Sequence, residues 1–210
     1  MKLRLTYNAP VTLTFALIST IIVFMDSVFK TNLVGSFFSA PGRGLFDFGN
    51  VSHYFRLFTH ILGHAGWAHL LGNFSFILLL GPRLEEKHGS FPLLFMILIT
   101  AFITGLLNAL LVPNSRLAGA SGIAFMMILL SSFTKAKAGE IPLSFILVAL
   151  LFLSKEIYAA FQENVVTGQK NNISELAHIA GGLCGALFGF LLKDREGEGK
   201  EEPPIDIPES

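Results

Sequence analysis

The chain alternates between long apolar runs and short polar connections, a pattern typical of helices separated by turns. Six apolar runs are bounded by charged or turn-forming residues. They cover residues 11–29, 68–80, 91–112, 123–133, 142–160 and 173–192. A helix of about 20 apolar residues crosses the hydrocarbon core of a bilayer. The pattern therefore predicts an all-α membrane protein in which six transmembrane helices form one bundle.

Composition supports this class and excludes others. Charged residues make up only 14% of the 210 residues, and the mean hydropathy is +0.61, whereas a soluble domain carries about 25% charge. The net charge is zero and no basic stripe is interleaved with aromatic residues, so nucleic acid is not an expected partner. The single cysteine, Cys184, cannot form an intrachain disulfide and is interpreted as a packing residue.

The ends of the chain are expected to lie on the cytoplasmic side of the membrane. The first apolar run follows a short basic segment, as in a signal peptide, but no small-x-small cleavage site follows, so a retained helix is predicted. Nine of the 15 Lys and Arg residues fall on the side of the N-terminus, which agrees with the positive-inside rule. Residues 193–210 are rich in Glu, Gly and Pro and predict a disordered tail, which leaves residues 1–192 as one membrane domain.

The first connection, residues 30–66, is unusually aromatic for a solvated loop. Aromatic rings are favoured at the level of the lipid headgroups, so this loop is predicted to lie in the membrane interface. Its rings belong to Phe37, Phe38, Phe46, Phe48, Tyr54, Phe55 and Phe58.

Polar side chains inside apolar runs mark candidate functional positions, because they are costly at membrane depth. His69 and Asn73 are four residues apart and therefore share one helical face. Ser121 opens the fourth run inside the segment Gly-Ala-Ser-Gly, where Gly119 and Gly122 leave its hydroxyl accessible.

His178 is the third such position, and it lies in the last apolar run. Three glycines follow it at offsets that keep them within about 60° of His178 on one helical face. A face of small residues lets another helix approach closely, and the helix that begins near Ser121 is the natural candidate. The pattern predicts that Ser121 and His178 meet. The three glycines are Gly181, Gly185 and Gly189.

Ser121 is predicted to lie below the membrane surface. Lys135, which is expected at the cytoplasmic surface, follows Ser121 by 14 residues. This span is about 21 Å of helix, against a hydrocarbon core of about 30 Å. A water-accessible cavity must therefore reach the serine, and the free N–H groups of the helix start favour a developing oxyanion there.

A metal site is the alternative interpretation of the histidines. His60, His64 and His69 offer nitrogen ligands of the kind that suit zinc or copper. The chain contains no His-Glu-x-x-His motif, and the nearby loop offers one carboxylate, Asp47. We therefore expect no metal or organic cofactor, and we expect His60 and His64 to stabilise the first loop and the helix start.

Taken in order, these segments resemble the bacterial rhomboid proteases over about residues 54–190. The region of the second run carries the rhomboid-like series His-x3-His-x4-His-x3-Asn. The fourth run opens with Gly-x-Ser-Gly, and the sixth carries Ala-His followed by spaced glycines. Each motif alone is weak, but the ordered set is specific. The matching residues are His60, His64, His69, Asn73, Gly119, Ser121, Gly122, Ala177 and His178.

The resemblance implies a six-helix rhomboid fold and a Ser-His dyad without an acidic third member. Ser121 would attack the scissile carbonyl carbon, and His178 would take its proton and deliver it to the leaving amine. His69, Asn73 and the backbone N–H of Ser121 would donate hydrogen bonds to the oxyanion. The implied substrates are single-pass or polytopic membrane proteins, cleaved in or near a transmembrane segment.

Several supporting residues are carried over by the same resemblance. Arg56 follows Phe55 where the family usually has a Trp-Arg pair, and Glu85 matches a family glutamate at the cytoplasmic end of the second helix. Phe125 stands where members often have a tyrosine that stacks on the catalytic imidazole. Gly119, Gly122, Gly181, Gly185 and His64 are expected to support the site.

The sequence thus predicts an intramembrane serine endopeptidase in a bacterial inner membrane, in contact with the lipid bilayer. The first alternative is a non-catalytic rhomboid-like protein that binds transmembrane helices. The second is a histidine-based metal or proton transporter.

Overall fold

The computed structural model describes residues 6–133, 140–161 and 173–198 of the chain. Each of the six predicted apolar runs is helical. Two shorter helices, a 3-10 turn and two short strands complete the described part. The elements in chain order are α1 (Pro10–Phe29), α2 (Leu33–Phe37), β1 (Ala40–Pro41), α3 (Val51–Thr59), a 3-10 turn (His60–Leu62), α4 (Trp67–His88), α5 (Ser90–Leu111), β2 (Arg116–Leu117), α6 (Ser121–Ser131), α7 (Leu143–Phe161) and α8 (Ile173–Glu198).

Three of the described helical segments are long and apolar enough to cross a membrane, namely Pro10–Phe29, Ser90–Leu111 and Glu175–Leu192. The apolar helix α6 has 11 residues, or about 16 Å, and is too short to cross a core of about 30 Å. A helix of this length that begins at one membrane surface ends inside the core. The depth of Ser121 stays a prediction.

Two helix ends differ from the predicted limits. α4 continues to His88, eight residues past the apolar run that ended at position 80, because Leu, Glu and Lys residues in this segment are good helix formers. α8 continues to Glu198, six residues past position 192, where the tail was predicted to begin. Its Lys, Arg and Glu residues also favour helix. Residues 199–210 of that tail, and the N-terminal basic segment, lie outside the described residues.

The predicted interfacial loop contains ordered elements of its own. β1 pairs antiparallel with β2, with Ala40 opposite Leu117, so the loop is joined to the segment that leads into α6. Buried Arg56 of α3 holds the preceding part of the loop: its Nε donates to the carbonyl oxygen of Ser39 at 2.6 Å, and its Nη2 donates to that of Gly35 at 3.1 Å. Several loop rings remain exposed. These are Phe37, Phe48, Tyr54, Phe55 and Phe58.

α6 lies at the centre of the core, packed against α4, α5, α7 and α8. Its side chains Ile123, Met126, Met127 and Leu130 are almost completely buried. α1 and α5 also pack against α4. A short, apolar helix enclosed by longer ones is held in place by its neighbours, so the position of Ser121 depends on packing and not on helix propensity.

The glycine face of α8 lies against α6, as the spacing predicts. A Cβ atom at Gly181 would overlap the backbone of Gly122, and one at Gly185 would overlap the backbone of Met126. Overlap with backbone cannot be relieved by a rotamer change. The close approach of these two helices therefore requires glycine at both positions.

We expect Gly185→Ala to lower the thermal midpoint and the turnover, because the new methyl group separates α8 from α6. Overpacking of this kind costs about 1–3 kcal/mol of unfolding free energy. The matched control is Gly72→Ala in α4, where a Cβ atom has no neighbour within 4 Å and alanine gains about 0.5–1 kcal/mol of helix stability. Thermal unfolding in detergent micelles measures both variants. Equal midpoints would contradict the packing described for α6 and α8.

Glu85 links three helices at the end of α4. Its carboxylate accepts hydrogen bonds from the backbone N–H groups of Val11 and Thr12 at 2.8 and 3.0 Å. It also accepts from the hydroxyls of Thr12 and Ser90 at 2.9 and 2.8 Å. The side chain is 4% exposed. Glu85 thus caps the N-terminus of α1 and joins it to the start of α5, which is the polar network expected of this position.

Replacing Glu85 with glutamine is expected to lower the unfolding free energy by about 1.5–3 kcal/mol, the value of a hydrogen bond to a charged group. The amide nitrogen would face N–H donors that need an acceptor. Exposed Glu86, the next residue, provides the control Glu86→Gln. The thermal midpoints of the two variants, measured side by side, check this. A fall of the same size in both would show that charge loss alone is responsible.

Candidate active site

The segment before α6 is held by hydrogen bonds from the first loop. The N–H of Gly119 donates to the carbonyl oxygen of His60 at 3.0 Å. The N–H of Ala120 donates to Nε2 of His64 at 3.2 Å. Both bonds fix the two residues that precede Ser121. The entry of the chain into α6 is therefore set by contacts with residues more than 50 positions away.

Gly119 is required here for two reasons. Its φ angle is +135°, in a region that L-residues rarely adopt. A Cβ atom at this position would also lie 2.7 Å from Cε1 and 2.9 Å from Nε2 of His69, and 3.6 Å from Nδ2 of Asn73. The bare glycine thus lets α4 bring His69 and Asn73 against the segment that carries Ser121.

The His69 ring is placed as a hydrogen-bond donor toward this segment. The N–H of Ala65 donates to Nδ1 of His69 at 3.5 Å. A nitrogen that accepts carries no proton in the neutral ring, so the proton is assigned to Nε2. Nε2 lies next to Gly119, together with the adjacent ring atom Cε1. His69 can therefore donate to a negatively charged oxygen beside Ser121.

Asn73 offers a second donor at the same place. The side chain is 8% exposed, and within the described part of the chain its Nδ2 has no hydrogen-bond partner. A buried amide donor left without a partner costs about 1–3 kcal/mol, so native proteins seldom keep one without a use. The donor is oriented toward the backbone next to Ser121, where an oxyanion would be the missing acceptor.

His178, on α8, contacts the serine helix one turn beyond Ser121. Its ring packs against Phe125, with the ring centroids 4.6 Å apart and the planes inclined by 45°. Phe125 is four residues after Ser121 and therefore lies one turn along the same face of α6. The carbonyl oxygen of Ala177 lies 3.1 Å from the position of a Cβ atom on Gly122. The turn of α8 that carries His178 is thus next to the turn of α6 that begins with Ser121.

His60 and His64 are structural parts of the site that the sequence interpretation described incompletely. They were expected to stabilise the first loop and the start of the second helix, and they also fix the segment before Ser121. His60 contacts Leu57 O through Nδ1 at 3.1 Å and the Thr104 hydroxyl of α5 through Nε2 at 3.3 Å. The sequence around Thr104 in α5 contains no pattern that predicts this contact. Only the fold brings positions 60 and 104 together.

Burial lowers the pKa of both imidazoles to about 4. His64 is also affected by the neighbouring His69 ring, whose centroid is 5.1 Å away. The neutral form of His64 is the one that accepts from Ala120, because a protonated ring has no free lone pair. The segment before Ser121 therefore requires deprotonated His64.

This requirement predicts a loss of stability in acid. A histidine with a depressed pKa stabilises the fold above its unfolded pKa of about 6.5, and this contribution is lost as the pH falls toward 4, the folded value for His64. We expect the thermal midpoint to fall between pH 6.5 and pH 4, and to fall less in His64→Asn. Parallel pH curves for the two proteins would contradict the assignment.

The remaining predicted residues lie apart from the serine. Glu85 follows Asn73 by 12 residues on α4, a separation of about 18 Å, and Arg56 binds the first loop through Ser39 and Gly35. Among the described residues, no group of three or more His, Cys, Asp or Glu side chains is placed to hold a metal ion. The ring nitrogens of His60 and His64 are engaged by protein groups.

The sequence is similar to those of known proteins. A family model described as the Rhomboid domain covers residues 51–195. The chain belongs to the rhomboid family. The chain is 31% identical to Rhomboid-related protein 1 from Caenorhabditis elegans over 157 residues. The match covers 73% of this chain and 44% of the relative. It is 26% identical to Rhomboid-like protein 11, chloroplastic, from Arabidopsis thaliana over 169 residues, which are 76% of this chain and 60% of the relative.

A third relative, RHOMBOID-like protein 6, mitochondrial, from Arabidopsis thaliana, is 31% identical over 154 residues, 70% of this chain and 46% of the relative. This rhomboid therefore spans about half the length of the curated relatives that it matches. Its family and its long apolar helices make it an integral membrane protein. The matched region contains every motif on which the resemblance was based.

Proposed function

We propose that this rhomboid is an intramembrane serine endopeptidase in which Ser121 is the nucleophile and His178 the general base. One observation carries the proposal. Two donors, Nε2 of His69 and Nδ2 of Asn73, lie close to Gly119 near Ser121. The ring of His178 packs against Phe125, one turn after Ser121 on α6. Oxyanion donors and an imidazole close to one serine are the parts that acyl transfer needs.

In the proposed reaction, Ser121 Oγ attacks the scissile carbonyl carbon as its proton passes to His178. The electron pair of the carbonyl moves to its oxygen, and His69, Asn73 and the N–H of Ser121 donate to that oxygen. The tetrahedral intermediate collapses as the C–N bond breaks and His178 protonates the leaving amine. Water then releases the acyl group by the same steps, with His178 again as base. No metal or organic cofactor takes part.

The proposed substrates are single-pass or polytopic membrane proteins. A peptide bond inside a helix is shielded by its own hydrogen bonds, so the substrate must unwind locally before it reaches Ser121. Entry would be lateral, from the lipid bilayer. We further propose six membrane segments, in which α4, α7 and the short helix α6, together with the chain that leads into it, join the three described apolar spans. Both termini would lie in the cytoplasm, and the location would be a bacterial inner membrane.

A direct test uses the full chain in liposomes with a single-span reporter protein, a chelator and a serine-directed fluorophosphonate probe. We expect cleavage in the presence of the chelator, and a covalent adduct that maps to Ser121 by mass spectrometry. Labelling elsewhere, or none, together with no cleavage of several reporters would favour a rhomboid that binds transmembrane helices without cleaving them. Cleavage that stops with the chelator would favour a metal enzyme.

A further inference from the structure

Glu175 is a buried carboxylate at the start of α8, and neither the dyad nor the oxyanion donors use it. It is 7% exposed. It precedes His178 by three residues, so the two side chains are neighbours on the helix surface. A buried carboxylate is tolerated only where charge or hydrogen bonds compensate it. Its position one turn from the proposed general base therefore calls for an explanation.

The geometry of α8 places His178 between the serine helix and Glu175. The direction of α6 is set by Gly181 and Gly185, which contact its backbone. At about 100° per residue, His178 lies about 40° from the mean direction of these glycines, and Glu175 lies about 100° from it on the same side. An imidazole in this place can face Ser121 with one nitrogen and the carboxylate with the other.

In the described parts of the chain, few other charged groups lie around this imidazole. The sequences of α5 and α6, which both pack on α8, contain no Asp, Glu, Lys, Arg or His. Across the serine segment, α4 presents His69, and β2 contributes Arg116 near Leu117, which clusters with Ala177. On α8 itself, Cys184 is almost two turns away. The titratable residues of α7 have side chains outside the described ones and are Lys155, Glu156 and Tyr158.

We propose that Glu175 is a positioning residue that orients the His178 ring through the nitrogen remote from Ser121. Its negative charge stabilises the imidazolium that forms when the Ser121 proton moves to His178, and the carboxylate itself stays unprotonated. This inference rests on the proposed protease function. It adds Glu175 to the dyad as a third member, so that Ser121 at the start of α6 works with His178 and Glu175 near the start of α8.

A second role for Glu175 has to be separated from this one. It is the third residue of α8, a position where a Glu or Gln side chain accepts a hydrogen bond from the backbone at the helix start in a capping box. The residue that would be capped, Asn172, lies outside the described residues. Glutamine serves the cap as well as glutamate does, but it carries no charge. Glu175→Gln therefore removes the electrostatic role alone.

The experiment compares reporter cleavage by wild type, Glu175→Gln and the control Glu86→Gln as a function of pH. For Glu175→Gln we expect an unchanged thermal midpoint and a kcat that is lower by at least about 10-fold. The acidic limb of the kcat/KM profile should move to lower pH by about one pH unit. Glu86→Gln should match wild type. Complete loss of turnover at an unchanged midpoint would also support the inference.

The outcomes separate this inference from the function on which it rests. An active Glu175→Gln variant with the wild-type pH profile would overturn the role of Glu175 and leave the serine protease intact. A lower thermal midpoint in Glu175→Gln with the wild-type pH profile would also overturn the inference, because the charge would then stabilise the fold and not the His178 imidazolium. Wild type that cleaves no reporter and takes no probe would overturn both proposals.

Discussion

Ser121→Ala and His178→Ala are each expected to reduce reporter cleavage by at least about 10⁴-fold, because nucleophile and base act as one unit and neither works without the other. Both side chains are half-buried, and both substitutions make them smaller. The bundle should therefore keep its thermal midpoint within a few degrees. Cleavage in liposomes by purified protein measures the first effect, and thermal unfolding measures the second.

The matched control for the serine is Ser132→Ala at the other end of α6. Among the described residues, its hydroxyl donates to the carbonyl oxygen of Ile128 at 3.3 Å, so the substitution should leave cleavage unchanged. The double variant Ser121→Ala with His178→Ala should be no slower than either single variant. Cleavage that survived in Ser121→Ala, or additive losses in the double variant, would contradict the dyad.

Asn73→Leu is expected to lower kcat by about 10²–10³-fold, the usual effect of removing one oxyanion donor. It should do so without lowering stability. Its Nδ2 has no hydrogen-bond partner within the described residues, and replacing an unsatisfied buried amide with an apolar group of similar size removes a desolvation cost. Loss of turnover with a constant or higher thermal midpoint is the signature of a donor kept for the transition state.

A second buried asparagine provides the opposite case. Asn108 donates from Nδ2 to the carbonyl oxygen of Ala40 at 3.1 Å and accepts from the Ser115 hydroxyl at 2.9 Å. Asn108→Leu removes the donor to the Ala40 carbonyl oxygen, so it should cost about 1–3 kcal/mol. The Ser115 hydroxyl can still donate to the carbonyl oxygen of Val112 at 3.1 Å. If Asn73→Leu lowered the midpoint as much as Asn108→Leu does, Asn73 would be a structural residue and the oxyanion role would be wrong.

The sequence-based interpretation of the helices depended on hydrophobic patterning and was reliable where patterning is decisive. The apolar runs identified all six major helices, and the glycine spacing identified the face of α8 that meets α6. Helix ends were less predictable. Charged residues beyond positions 80 and 192 end an apolar run without ending a helix, because Lys, Arg and Glu favour helical backbone.

The support of the candidate site could not be read from the sequence. His64 and Ala120 are 56 residues apart, and His60 and Thr104 are 44 apart, and no local pattern indicates either contact. The buried position of Glu175 likewise became meaningful only when α8 was packed against α6. In contrast, His69 and Asn73 share a helical face by their spacing, so their pairing was predictable before the fold was known.

The sequence by itself determined the class of the molecule, its helices and the residues that carry the proposed chemistry. Hydrophobic periodicity and residue spacing are local properties, and a helix converts them directly into faces. The tertiary structure decided what those faces meet: the direction of the His69 donor, the unsatisfied amide of Asn73, and the position of His178 against Phe125. These depend on distances between helices, which close packing of distant segments sets and which no single segment encodes.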